Sequence, residues 1–221
     1  MAERKVFVDR RDAGFEVGKL LESKYKDRNA LVLGIPRGGV VVAYEVANVL
    51  NGELSVVVTK KLPHPLQKEL AIGAAAEDGS VFMTSYGNDI SLEIKRKVLA
   101  EQINEIKNRI QRFRRGKPLS EMRDRIVILV DDGIATGSTI VPAIKLCKSK
   151  KAAKVIVAAP VSAKHYVSEI NSLADEVVIA VQPNSFHAVA QVYDDFHNLS
   201  DKEVIELLDN YGRKSMKQFI H

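Results

Sequence analysis

The sequence predicts a doubly wound α/β fold, a mainly parallel sheet with helices on both faces, on three observations. Runs of β-branched residues alternate with helical stretches of roughly a dozen residues. The runs are apolar at nearly every position, as strands covered on both faces are. Turn-forming residues cluster where a run stops and a helix starts.

"ALVLGI" (residues 30–35) reads as a buried strand that stops at "PRGG", and "VVVAYEVANVL" as the packed helix after it. "LSVVVTKKL" (54–62) is a second strand, followed by a loop at "PHPLQKE". "LAIGAAAEDGSVFMT" sets Asp78-Gly79 between two short apolar pieces, a hairpin signal. From Ser91 to about Arg115, the residues Ile94, Val98, Ile103, Ile106, Ile110 and Phe113 recur at helical spacing opposite Lys and Arg. One long amphipathic helix is expected there, with room for a single break. "RIVILVDD", "AKVIVAAPV" and "DEVVIAVQP" are strands, alternating with helices at "STIVPAIKLCKS" and "SAKHYVSEINSLA". With no repeat, low-complexity tract or linker, residues 1–221 are read as a single domain. In such sheets ligands bind beyond the carboxyl ends of the strands, where strand order reverses. The segments to examine are therefore "PRGG", "TKKLP", "DDGIATGST" and "QPNSF".

At 221 residues, with 46% apolar and 28% charged residues, the chain can bury a core without disulfide staples. Its one cysteine, Cys147, falls beside Ile140 and Ile144 on the inner face of "IVPAIKLCK", as core filler rather than nucleophile. Charges fill "MAERKVFVDRRDAG" where a secretory signal needs an apolar run, and no segment approaches a membrane span. A cytoplasmic protein without membrane contact is expected. The net charge of +5 suits a solvated lysine-rich surface. The basic stretch ending "RFRRGKP" is interleaved with aliphatics, so one buried and one solvated face is favoured over nucleic-acid contact.

The most informative stretch is "RIVILVDDGIATGST" (125–139), where five aliphatics run into Asp131 and Asp132 and then a bare turn. Burying such acids unpaired costs on the order of several kcal/mol each, so they must face solvent, a metal or hydroxyl donors. Gly133 and Gly137 strip the turn of side chains, and Thr136, Ser138 and Thr139 add hydroxyls where free N–H groups open a helix. That is an anion site suited to phosphate. Pro142 fits a helix that starts near Ser138 or Thr139. Three competitors fail on the letters. The turn has no Lys for a nucleoside-triphosphate loop, no Gly-x-Gly-x-x-Gly is present, and neither "KVIVAAPVS" nor "VVIAVQPNS" offers the later acceptor Asp of a receiver domain.

"VILVDDGIATGST" resembles the phosphoribosyl pyrophosphate binding motif of the type I phosphoribosyltransferases. Weaker likeness to a group of uncharacterised phosphoribosyltransferases runs through "FVDRRDAG", "LGIPRGGVVVAYEVA", "KELAIGAAAEDG" and "FHAVAQVYDDF". The resemblance implies that fold with a small hood, built from about 183–221 and N-terminal residues. It implies that Asp131 and Asp132 hold the ribose hydroxyls directly or through magnesium, while the turn Gly133, Ala135, Thr136, Gly137, Ser138 and Thr139 grips the ribosyl phosphate. "GIPRGG" takes the place of the pyrophosphate loop, with Gly38 and Gly39 allowing close backbone approach and Arg37 meeting phosphate oxygens. Read alone, it serves equally as a strand-to-helix turn with an exposed Arg. "TKKLPHPLQKE" resembles the start of the closing loop, so Lys60 or Lys61 should reach the diphosphate, unless both are solvated.

Purine-salvage members carry an acid three residues after the pair, where this chain has Ala135, which leaves Glu69 or Glu77 as substitute bases. Phe186 is the candidate to stack on the acceptor, although a Phe after a strand is more often core. All five histidines read as surface or packing residues, because His187 and His197 lack metal-ligand spacing. The function implied is transfer of phosphoribose from phosphoribosyl pyrophosphate, with magnesium, to a nitrogen of a small nucleobase-like ring, in a homodimer. The alternative is a non-catalytic regulatory protein that binds phosphoribosyl pyrophosphate or a nucleotide.

Overall fold

The computed structural model describes residues 6–68, 70–135, 137–163 and 170–218, with side-chain surroundings as far as residue 213. In chain order the elements are α1 (Arg10–Tyr25), β1 (Leu31–Gly34), α2 (Gly38–Leu50), β2 (Glu53–Val56), β3 (Thr59–Pro63), β4 (Ala71–Ala76), β5 (Val81–Met83), α3 (Leu92–Arg114), β6 (Ile126–Val130), α4 (Ile140–Ser149), β7 (Lys154–Val161), β8 (Glu176–Val181) and α5 (Asp201–Gln218). The central sheet is parallel in the order β2-β1-β6-β7-β8. Of the expected helix "SAKHYVSEINSLA", residues 164–169 lie outside the described residues and residues 170–173 are helical.

Continuously apolar strands are explained by the two faces they cover. On one face Val17 and Leu21 of α1 and Val42 and Val46 of α2 pack against Val32, Ile128 and Ile156. On the other, Ile140, Ile144 and Cys147 of α4 pack against Leu31, Leu129 and Val157. Cys147 is fully buried, and burial pushes its thiol up to about 12, as a core residue's should be. Among the described residues no helix is long and apolar enough to cross a membrane.

The run expected as one strand at 54–62 is two. β2 ends at Val56, the Val57 N–H still donates to Gly34 O, and from Thr59 the chain pairs antiparallel with β4. An unbroken β-branched run conceals this change of partner, because both sheets demand the same residues. β3, β4 and β5 form a second, antiparallel sheet whose β4–β5 hairpin turns at Asp78-Gly79, with Gly79 at φ 86°. α3 is unbroken, begins at a Ser91 cap and lays Val98, Ile106 and Phe113 against that sheet. Its basic face is partly matched, since Arg112 and Arg115 pair with Asp201 and Asp209 of α5.

Two helices went unread in the sequence. α1 starts at Asp9, whose side chain accepts from Arg11 and Asp12 N–H. α5 starts after Ser200, which exchanges hydrogen bonds with Glu203 in a capping-box pattern.

Candidate functional site

β1 and β6 are neighbours at the point where strand order reverses, and Gly34 is in register with Val130. The turns that follow these strands therefore start side by side, the arrangement that makes a ligand crevice in an open α/β sheet. Their contact is intimate. A Cβ on Gly39 would lie 2.6 Å from Val130 O and 2.8 Å from Asp131 Cα, and a Cβ on Gly38 would overlap the Asp132 carboxylate. "PRGG" lacks side chains here so that its backbone can lie against the acids. The Pro36–Arg37 peptide is cis.

Asp131 is pressed from two sides. Burial, and then the charge of Asp132, push its carboxyl well above the usual range, while the Asp132 N–H, which bonds Asp131 Oδ1 at 2.9 Å, and the Thr139 hydroxyl work against that rise. Asp132 has a cation of its own. Arg10 Nε donates to Asp132 Oδ2 at 2.7 Å, and the Tyr193 hydroxyl donates to the Asp132 carbonyl at 2.6 Å. Arg10 also donates to His197 O at 3.0 Å and lies 3.7 Å from the centroid of the Phe196 ring. Phe7, Tyr193 and Phe196 form a ladder of rings with centroids 5.7 and 4.9 Å apart. None of Arg10, Tyr193 and Phe196 was singled out from sequence. "FVDRRDAG" and "VYDDF" flag the segments, but no spacing joins the start of the chain to residues beyond 190.

The turn after the acids is anchored by Ile134, whose N–H bonds Val161 O at 2.8 Å. Gly133 is bare because Val189 and Val161 occupy the space a Cβ would take, which is a packing reason. Gly137 holds φ 67°, a conformation that favours glycine. α4 begins at Ile140, and the Ile140 and Val141 N–H groups already bond Gly137 O. These N–H groups are thus already engaged; in the turn before them Ala135 is exposed and Ser138 and Thr139 are half-buried. Thr136 lies outside the described residues.

Arg37 and Lys60 lie within each other's electrostatic reach. Arg37 Nη1 lies 3.8 Å from Asp201 Oδ1, whose partner oxygen accepts from Arg112 at 2.8 Å. Lys60 is half-buried beside α3, and burial followed by the charge of Arg109, with smaller contributions from Lys61 and Arg37, pushes its ammonium below its ordinary value. Lys61, next along β3, is exposed. The structure thus separates two lysines that the sequence left equivalent.

Glu77 corrects an expectation. It is buried, pairs with Arg114 and accepts the Val58 N–H at 3.1 Å. Its oxygens are committed to holding β3, β4 and α3 together, so it is no general base; Glu69 lies outside the described residues. Phe186 packs half-buried against the Phe7–Tyr193 cluster. His64 and His187 make local hydrogen bonds, and His197 sits exposed between Asp195 and Glu203. Among the described residues no three His, Cys, Asp or Glu side chains group to hold a metal ion.

Comparison with known proteins gives a consistent picture. The phosphoribosyl transferase domain family matches residues 8–197. Two curated Mycobacterium tuberculosis relatives, from strains CDC 1551 and H37Rv and each named "Putative phosphoribosyl transferase", are 40% identical over 212 residues, 95% of this chain and 48% of theirs. The chain thus spans about half the length of these relatives. A crystal structure of the protein TT1426 from Thermus thermophilus superposes with a TM-score of 0.80 at 36% identity, over 93% of this chain and 99% of that one.

Proposed function

From the premise that the chain belongs to the phosphoribosyl transferase domain family, we propose that it moves phosphoribose from phosphoribosyl pyrophosphate to a ring nitrogen of a nucleobase-like acceptor and releases pyrophosphate. The observation that carries this reading is the contact of the two turns at the switch point, acids on one and bare backbone on the other. In the proposed complex Asp132 accepts from a ribose hydroxyl, the turn 135–139 holds the ribosyl phosphate, and Arg37 and Lys60 meet the diphosphate.

Breaking the anomeric bond leaves positive charge on the sugar and negative charge on the departing diphosphate. Arg37 and Lys60 stabilise the second, with Lys61 as the exposed cation that approaches on closure. The adjacent carboxylates at the end of β6 stabilise the first. Two carboxylates, one already paired with Arg10, suit a magnesium ion that keeps waters and arrives with the phosphates rather than a resident ion. Asp131, which burial disfavours as an anion, would hold it and gain most from it. When bound, magnesium would supply neutralising charge at the diphosphate. The hood is taken as about 183–221 with N-terminal residues, Phe186 lining the acceptor side, within a single domain. A cytoplasmic location and a homodimer belong to the same proposal.

The test is pyrophosphate release from phosphoribosyl pyrophosphate with magnesium against a panel of purines, pyrimidines and related rings. Release that depends on one ring and disappears in Asp131→Asn/Asp132→Asn establishes the transferase. Tight binding of phosphoribosyl pyrophosphate without turnover on any ring would favour the non-catalytic regulatory reading instead.

A further inference from the structure

We propose that Arg10 is the positioning residue for the sugar-binding acid: it fixes the Asp132 carboxylate so that one oxygen only is presented to a ribose hydroxyl, and ties that orientation to the C-terminal part of the chain. The proposal rests on the ribose-phosphate reading of the site.

Three contacts determine the orientation of Arg10, which is 8% exposed. Nε donates to Asp132 Oδ2 at 2.7 Å, Nη1 donates to His197 O at 3.0 Å, and the guanidinium carbon lies 3.7 Å from the Phe196 ring centroid. A guanidinium held at its edge and its face cannot follow the carboxylate if it turns, so the carboxylate is held in turn. The backbone of Asp132 is pinned separately by the Tyr193 hydroxyl at 2.6 Å, and Gly38 closes the side where a Cβ would overlap the carboxylate. With Oδ2 engaged, Asp132 meets a ligand through its other oxygen and is poorly placed to chelate a metal with both. Arg10 comes from the first turn of α1, and Phe196 and His197 from the other end of the chain. Sugar recognition and the packing of these distant segments are therefore one structure.

The experiment is calorimetric titration of the full chain, wild type and Arg10 variants, with ribose 5-phosphate and with inorganic phosphate, thermal unfolding serving as a folding check. Arg10→Met is expected to lose tenfold or more in affinity for ribose 5-phosphate while inorganic phosphate, which needs the turn alone, binds as before. Arg10→Lys, which keeps the charge but not the fork, recovers part of the loss. It also serves if Arg10→Met fails to fold, with an expected two- to threefold loss confined to the sugar phosphate. A folded variant that retains the wild-type preference for ribose 5-phosphate, or loses both ligands equally, overturns the role of Arg10. A wild type that binds ribose 5-phosphate no more tightly than inorganic phosphate overturns the ribose-phosphate reading itself, and this inference with it.

Discussion

The acid end of β6 and the lysine end of β3 are held by different means. Asp131 and Asp132 follow a central strand and are gripped at short range by Gly38, Gly39, Thr139, Arg10 and Tyr193. Lys60 and Lys61 ride on a separate antiparallel sheet, fastened to the rest by a buried Glu77–Arg114 pair and by α3. In the proposed complex the first meets a neutral hydroxyl-bearing group. The second offers one half-buried and one exposed cation, which the proposed complex sets against the departing diphosphate.

The comparison breaks most severely at Glu77. Glu77→Ala leaves Arg114 buried and unpaired, so unfolding in urea should show a loss of about 3–5 kcal/mol. Replacing both partners by apolar residues, Glu77→Leu with Arg114→Met, should recover most of it, because burial already pushes Glu77 upward despite its partner. Sugar-phosphate affinity in a folded double variant should stay within about twofold of wild type, on the order of 0.4 kcal/mol.

Gly39→Ala attacks the other end. Its Cβ meets backbone rather than a side chain that can move, so a stability loss of about 1–3 kcal/mol is expected. Ribose 5-phosphate affinity should fall on the order of 100-fold, about 2.7 kcal/mol, in the same titration. Unchanged affinity would mean that the two turns do not cooperate.

Lys60→Met and Lys61→Met sharpen the difference between the lysines. Inorganic pyrophosphate should bind about tenfold more weakly to the first and about twofold more weakly to the second, roughly 1.4 and 0.4 kcal/mol. Equal losses would show that burial does not separate them.

The smallest effect lies far from both ends. Lys24, then Tyr25, together with Lys154, hold the Glu176 carboxyl down to about 2. A lowered carboxylate stabilises the fold above its unfolded value of about 4.3 and ceases to do so as pH falls toward about 2. Glu176→Gln should therefore lower the unfolding free energy slightly at pH 7, by under about 1 kcal/mol because its partner Lys24 is exposed, and not at about pH 2.

Much of this was legible in the letters, for reasons that can be named. Five aliphatics before two acids and a glycine turn describe a buried strand and its end within fifteen residues, so local chemistry sufficed to place Asp131, Asp132 and the turn just beyond β6. Cys147 was readable as core because helical periodicity places it beside Ile144. Glu77 misled, since a carboxylate in a hairpin reads as exposed until α3 folds Arg114 over it. α5 could have been read from Ser200 and Glu203, a cap visible in four letters.

By itself the sequence determined the order of elements, the apolar strands and the residue types at each strand end, because these depend on periods of two and 3.6 residues and on turn chemistry within a few positions. Only the tertiary structure decided which ends meet. Register of β1 with β6 puts Gly39 on Asp131, and the packing of α1 under the C-terminal segment brings Arg10 to Asp132 across 122 positions. The change of sheet after Val58 that makes one lysine half-buried and its neighbour exposed is of the same kind. Contacts between distant segments are set by how layers close on a shared core, and no local pattern of side chains encodes that closure.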